Sequence, residues 1–172
     1  MLTAASGNVA ASTEDLLIEH FEAVCLQNPG DAENSINSAT ERGAIRMPNE
    51  FARKLFNFDE GEAVAATLGI SKDWETYWVI LSSTKVWKTD WLHCSLYHPF
   101  SRGNLVIEKM LPSFTQRAPF GLDDNEYRKV KTWTANNYSE QATINIVEFT
   151  SSDWPHGTSL VFNSVFSEGS NQ

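Results

Sequence analysis

No apolar run in this chain approaches the ~18 residues of a membrane-spanning helix, and residues 1–13 have neither the basic start nor the apolar core of a signal peptide. A membrane span and a leader carried by the chain itself are therefore not expected. Cysteine occurs only twice in 172 residues, which excludes a scaffold held by many disulfides. Glycine is arranged in neither a phosphate-cradling loop nor a dinucleotide fingerprint, so nucleotide binding has no support. Positive charge is scarce as well: 13 Lys and Arg stand against 22 Asp and Glu, for a net charge of −9. The longest basic stretch, Arg128-Lys129-Val130-Lys131, is too short to build the clustered cationic surface that nucleic acid requires. The acidity suits solubility or a cationic partner.

What is present is aromatic. Six Trp, ten Phe and four Tyr supply much of the burial in a chain whose apolar share is 41%. A chain of this length hides roughly 70% of its unfolded surface, so one domain over residues 13–168 is expected, with residues 1–12 as a flexible N-terminus. Ser, Thr and Asn make up about a quarter of the residues, and the opening Leu2-Thr3-Ala4-Ala5-Ser6-Gly7 resembles the loose start of a processed chain. Two compartments stay open: exported or periplasmic after loss of a leader, or cytoplasmic.

Ser12 or Thr13 can cap a helix whose first turn carries Glu14 and Asp15 at its positive end, and Leu17, Phe21, Val24 and Cys25 then recur at helical spacing. Asn28-Pro29-Gly30 stops this helix. Asp31 opens a second one running toward Arg42, with Gly43 as its terminator and a thin face of Ala32, Ile36 and Ala39. Pro48 fits a first helical position ahead of Phe51, Leu55 and Phe56, and an Ala-rich segment runs to Gly69. From Trp74 onward, β-branched and aromatic alternation predicts strands near Thr76–Thr84, Asp90–His98, Asn104–Leu111, Tyr127–Ala135, Gln141–Phe149 and Thr158–Phe166. Helices first and strands afterwards give an α+β class, with N-terminal helices packed on a five- to six-stranded, mainly antiparallel sheet, because the connections look too short for crossover helices. Residues 112–126, with Pro119, Phe120, Gly121 and Leu122, form the longest irregular stretch, either a binding element or a surface excursion.

The segment Phe21-Glu22-Ala23-Val24-Cys25-Leu26, the Pro/Gly break, the short Ala/Ser helix and Gly43, together with a Trp near the first strand (Trp74 or Trp78) and Cys94, resemble a loose set of small, mostly exported, uncharacterised bacterial proteins. The likeness covers about the first 50 residues. It implies a fold and a disulfide, and no activity. Read without it, Cys25 lies on a helix stripe and Cys94 between Leu92 and Leu96, so both point to where helix meets sheet. They are either a bridge or two buried thiols.

Alternation along Asp90–His98 separates Leu92, Cys94 and Leu96 from Trp91, His93, Ser95 and Tyr97. A zinc or copper site is not expected, because His93 faces away from Cys94 and His98 and no second His/Cys cluster exists. Cys94 between two leucines lacks the electropositive setting of a nucleophile, and no Gly-x-Ser-x-Gly elbow singles out a serine. Asp59-Glu60 and Asp123-Asp124 read as turns rather than acid/base pairs. No cofactor is expected. The remaining feature is a surface of Trp91, His93 and Tyr97 joined, should the two strands neighbour each other, by Lys129, Lys131 and Trp133 of a later strand. Its alternative is that helices or the 112–126 loop cover these rings. The resulting expectation is a non-catalytic ligand- or protein-binding domain, with an inhibitor or immunity-type protein as a sub-case. The alternative is a small hydrolase with His93 as general base, oriented by Asp90 or another carboxylate.

Overall fold

The computed structural model describes residues 11–29, 31–46, 48, 50, 77–83, 90–138, 141–150 and 156–166. Expectations for residues 1–10, for the helix after Pro48, for the Ala-rich segment and for residues 151–155 and 167–168 lie outside them, as do the side chains of Asp90 and Trp91.

Helix α1, Thr13–Phe21, begins on a capping box: the Ser12 hydroxyl accepts from the Asp15 amide, and the Asp15 carboxylate accepts from the Ser12 amide. A π-helical turn, Glu22–Leu26, continues it, and Ala23, Val24, Cys25 and Leu26 are all buried. Four successive buried residues on one turn require packing on every side. Helix α2, Ala32–Glu41, is capped by Asp31 and ends before Gly43, whose φ of 94° is a conformation that glycine adopts without strain. On its thin face, Ile36 and Ala39 nonetheless have no exposure.

The sheet has six strands: β1 Tyr77–Ser83, β2 Asp90–His98, β3 Gly121–Asp124, β4 Arg128–Thr134, β5 Thr143–Phe149 and β6 Gly157–Phe166. Their spatial order is β1-β2-β6-β5-β4-β3, and every neighbouring pair is antiparallel. The chain is therefore α+β, with its N-terminal helices preceding the strands.

Two expectations are corrected. Residues 104–111 are not a strand: helix α3 spans Gly103–Met110 and carries the chain from β2 across to β3 at the far edge. Buried Gly103, Val106 and Met110 form its stripe, at helical rather than alternating spacing. One connection is thus long enough for a crossover helix, and the sheet stays antiparallel because β3, β4 and β5 then meander back to β6. Residues 112–126 are also not wholly irregular, for a 3₁₀ turn at Leu111–Ser113 precedes the short strand β3.

One face of the sheet meets the helices. Cys94, Phe162, Ile144 and Trp133 form a continuous row across β2, β6, β5 and β4, and Leu96, Leu160 and Ile146 form the next. All of these are buried in one cluster with Leu17, Phe21, Val24, Ile36, Val106 and Met110. Cys25 and Cys94 are joined in a disulfide across this layer, their Cα atoms 5.5 Å apart. The same layer holds a polar tie, in which buried Glu14 of α1 accepts from the Arg102 amide at 3.2 Å, at the N-terminus of α3.

Candidate functional site

Alternation sends odd-numbered residues of β2, β5 and β6 to the face that no described helix packs on. Pairing aligns them in rows: His93, Asn163, Thr143 and Thr134; then Ser95, Val161, Asn145 and Thr132; then Tyr97, Ser159, Val147 and Val130. None of these positions carries an ionised side chain at neutral pH. Charges enter only at the rim, where Arg128 of β4 pairs with Asp123 of β3 at 3.3 Å. In a chain of net charge −9, so broad a stretch without carboxylates is a distinct local environment.

His93 is the one group within the rows whose ordinary pKa lies near neutrality. Its Nδ1 lies 2.8 Å from Asn163 Oδ1. An amide oxygen only accepts, so Nδ1–H donates and Nε2 carries the lone pair. Burial pushes the imidazole below its usual pKa, and the Asn163 bond opposes that shift. The ring is thereby held neutral and oriented by an amide. Nδ1–H donates to a group that carries no charge of its own. Nearby, Tyr97 meets Phe149 edge-on with centroids 5.5 Å apart, over Gly157. A Cβ at 157 would lie 2.5 Å from the His98 carbonyl oxygen and 2.9 Å from the Tyr97 ring, so only glycine leaves room for this pair. Asn145 adds a buried side-chain oxygen that has no hydrogen-bond partner among the described residues.

The surface expected from sequence is split by this arrangement. His93 and Tyr97 lie on the face that no described helix packs on, and His93 and Cys94 look in opposite directions as expected. Strands β2 and β4, however, are separated by β6 and β5. Trp133 lies on the opposite face, 1% exposed and stacked on Phe114 at 4.8 Å, so it is core. Lys129 and Lys131 share that face with it by alternation, at the edge the helices leave exposed. The backbone of Trp91 continues the β2 row, and its side chain lies outside the described residues. Asn163, Asn145 and Val147 are the residues that sequence reading missed. The signal was there in Thr143, Asn145 and Val147 alternating with core Ile144 and Ile146.

Other chemistry is sparse. His98 is buried on the core face, where its Nδ1 accepts from the Phe100 amide at 3.1 Å. Among the described residues, no three His, Cys, Asp or Glu side chains converge where they could hold a metal ion. No described helix is long and apolar enough to cross a membrane. A small cleft between the π turn, α3 and the β4–β5 turn is lined by Glu22, Met110, Phe114, Asn137 and Tyr138, with a volume of about 10 Å³, room for about one water. Set against known proteins, the chain matches no family model, no curated protein and no solved structure.

Proposed function

We propose that this chain is a non-catalytic protein-binding domain whose recognition surface is the sheet face on which no described helix packs, centred on the partly exposed Asn145, Val147 and the His93–Asn163 pair. The observation that carries this reading is the absence of fixed charge across the rows of β2, β6 and β5, on a protein that is acidic overall. Interface cores are depleted of charge and enriched in aromatic residues, with a polar rim. A flat, uncharged surface fits a protein partner better than a small ligand, which takes a concave site. The His93 environment also favours recognition over the hydrolase: a general base must become an imidazolium during turnover, and here burial opposes that charge more than the hydrogen bond to the neutral Asn163 amide supports it. The fully buried disulfide suits an oxidising compartment.

The test is Val147→Arg, which sets a charge in the middle of the face, compared with Glu33→Lys on exposed α2. Tagged versions are purified from the native source, and co-purifying proteins are quantified by mass spectrometry. Sedimentation velocity of each pure protein reports self-association. Val147→Arg is expected to lose the bound protein, whether a second copy or another chain, at an unchanged melting temperature, while Glu33→Lys keeps it. Equal retention by both variants would sink the reading, as would ester or amide turnover that follows one ionisation near neutrality and disappears in His93→Ala.

A further inference from the structure

Strands β1 and β3 are the two edges of the sheet, and they differ in what they would accept. Strand β3 is four residues long and carries Asp123 and Asp124, charges that discourage a further strand from adding. Strand β1, Tyr77-Trp78-Val79-Ile80-Leu81-Ser82-Ser83, is seven residues long and holds neither a charge nor a proline. No other described strand pairs with its outer side.

The ladder fixes which of its backbone groups face outward. Ala135 N–H donates to Ala142 O at 2.8 Å and Thr150 N–H to Tyr127 O at 2.9 Å, one at each end of the β4–β5 pairing. Bonding alternates along an antiparallel pair, so Ile144, Ile146 and Glu148 bond to β4, while Thr143, Asn145, Val147 and Phe149 turn to β6. Carried across the sheet, the alternation turns the even-numbered residues of β6 to β2 and the odd-numbered residues of β2 to β1. Tyr77, Val79, Leu81 and Ser83 are thereby bonded to β2. The amides and carbonyls of Trp78, Ile80 and Ser82 point away from it.

That outward set is symmetric about Ile80. In an antiparallel second copy with Ile80 opposite Ile80, Trp78 stands opposite Ser82, and each of these pairs joins two outward-facing residues that exchange both main-chain bonds. A slip of one residue sets outward groups against inward ones, and a slip of two loses a pair. The intervening pairs are Val79 with Leu81 and Tyr77 with Ser83, so no like charges are opposed. In sequence the nearest charged residues are Glu75 and Lys85, each five places from Ile80, and the same register matches these unlike charges at both ends. We propose that β1 is a dimer edge, adding antiparallel to β1 of a second copy about a two-fold axis through Ile80 to give one sheet shared by both copies. This edge is distinct from the sheet face proposed above, and the two stand or fall separately.

Sedimentation velocity of the full chain over a range of concentrations is expected to show a reversible dimer. Ser82→Pro removes an amide that β2 does not use, at an edge where proline is tolerated. It is expected to weaken the dimer on the order of tenfold or more while the dilute protein melts as the parent does. Val147→Arg is expected to leave the dimer intact. Amide exchange on the unmodified protein gives a readout that needs no variant: raising the concentration slows exchange at Trp78, Ile80 and Ser82 and leaves Val79 and Leu81 as they were. The proposal is overturned by a monomer at every concentration up to about a millimolar, by a dimer that Val147→Arg abolishes and Ser82→Pro does not, or by exchange at Trp78, Ile80 and Ser82 that is independent of concentration.

Discussion

Replacing both cysteines with alanine tests the covalent tie between the π turn and β2. The bridge joins residues 69 apart in sequence. A loop of that size withholds entropy from the unfolded chain worth about 4 kcal/mol on the loop-closure model. In a protein of this length each kcal/mol moves the melting temperature by about 2–4 °C, so Cys25→Ala/Cys94→Ala is expected to melt about 8–16 °C lower. The sulfurs also fill a sealed layer, since both cysteines have no exposure, and their loss leaves a void that adds to the cost. Thermal unfolding by circular dichroism, with and without reductant, reads this directly. Thiol titration supplies the companion measurement: no reactive thiol on unfolding without reductant, two with it. Burial further requires the native bridge to resist reductant until the layer opens. A double-alanine variant that melts within about 3 °C of the parent would refute the loop-closure reasoning.

Four further outcomes are expected. Trp133→Phe keeps the ring stacked on Phe114 and deletes an indole N–H that has no partner among the described residues, so it is expected to cost less than about 1.5 kcal/mol, whereas Trp133→Ala costs about 3–5 kcal/mol in urea unfolding. Gly157→Ala forces a Cβ against the His98 carbonyl and is expected to destabilise by about 1–3 kcal/mol, with loss of the Tyr97–Phe149 contact seen as a shift of the Phe149 ring signals. Asp15 is held at about 2 by hydrogen bonds from Lys109 and Ser12, below its ordinary 3.8. Its contribution is therefore complete above 3.8 and is lost as pH falls through about 2, and Lys109→Ala is expected to raise the Asp15 midpoint in a carboxylate NMR titration. Burial lowers the pKa of His93 from 6.5, so the unfolded chain takes up its proton first and the stabilisation present above 6.5 declines as pH falls toward the folded value. Asn163→Asp, which puts a carboxylate on Nδ1, is expected to raise the His93 midpoint in an imidazole NMR titration.

The sequence was most legible where the determinants are local. The α1 capping box, the Asp31 cap and Gly43 lie within a few residues of what they shape. The alternation along β2 likewise sorts Cys94 from His93 without reference to any other strand. Helix α3 shows the limit. Leu105, Val106 and Ile107 carry strand propensity, and Arg102 offers no side-chain cap. The group that serves its N-terminus is Glu14, 88 residues away on α1, and no local reading could find it. Strand β3 was hidden for a similar reason: Gly121, Asp123 and Asp124 disfavour strands, and only pairing with β4 extends them. The candidate surface depended on strand order. Period-two spacing placed Lys129, Lys131 and Trp133 together correctly, but it could not report that β6 and β5 lie between β4 and β2, and so joined residues that look to opposite sides.

The central position of β6 bears on how the molecule is made. Of the described strands it emerges last from the ribosome, yet it is the one that zips the β1–β2 hairpin to the β3–β4–β5 meander. Until it arrives, two unfinished ribbons wait with hydrogen-bonding rims bare, and the aromatic interior has no common floor. Folding to completion is thereby deferred until β6 has been made, and a nascent chain stalled before Gly157 is expected to be protease-sensitive throughout rather than half built.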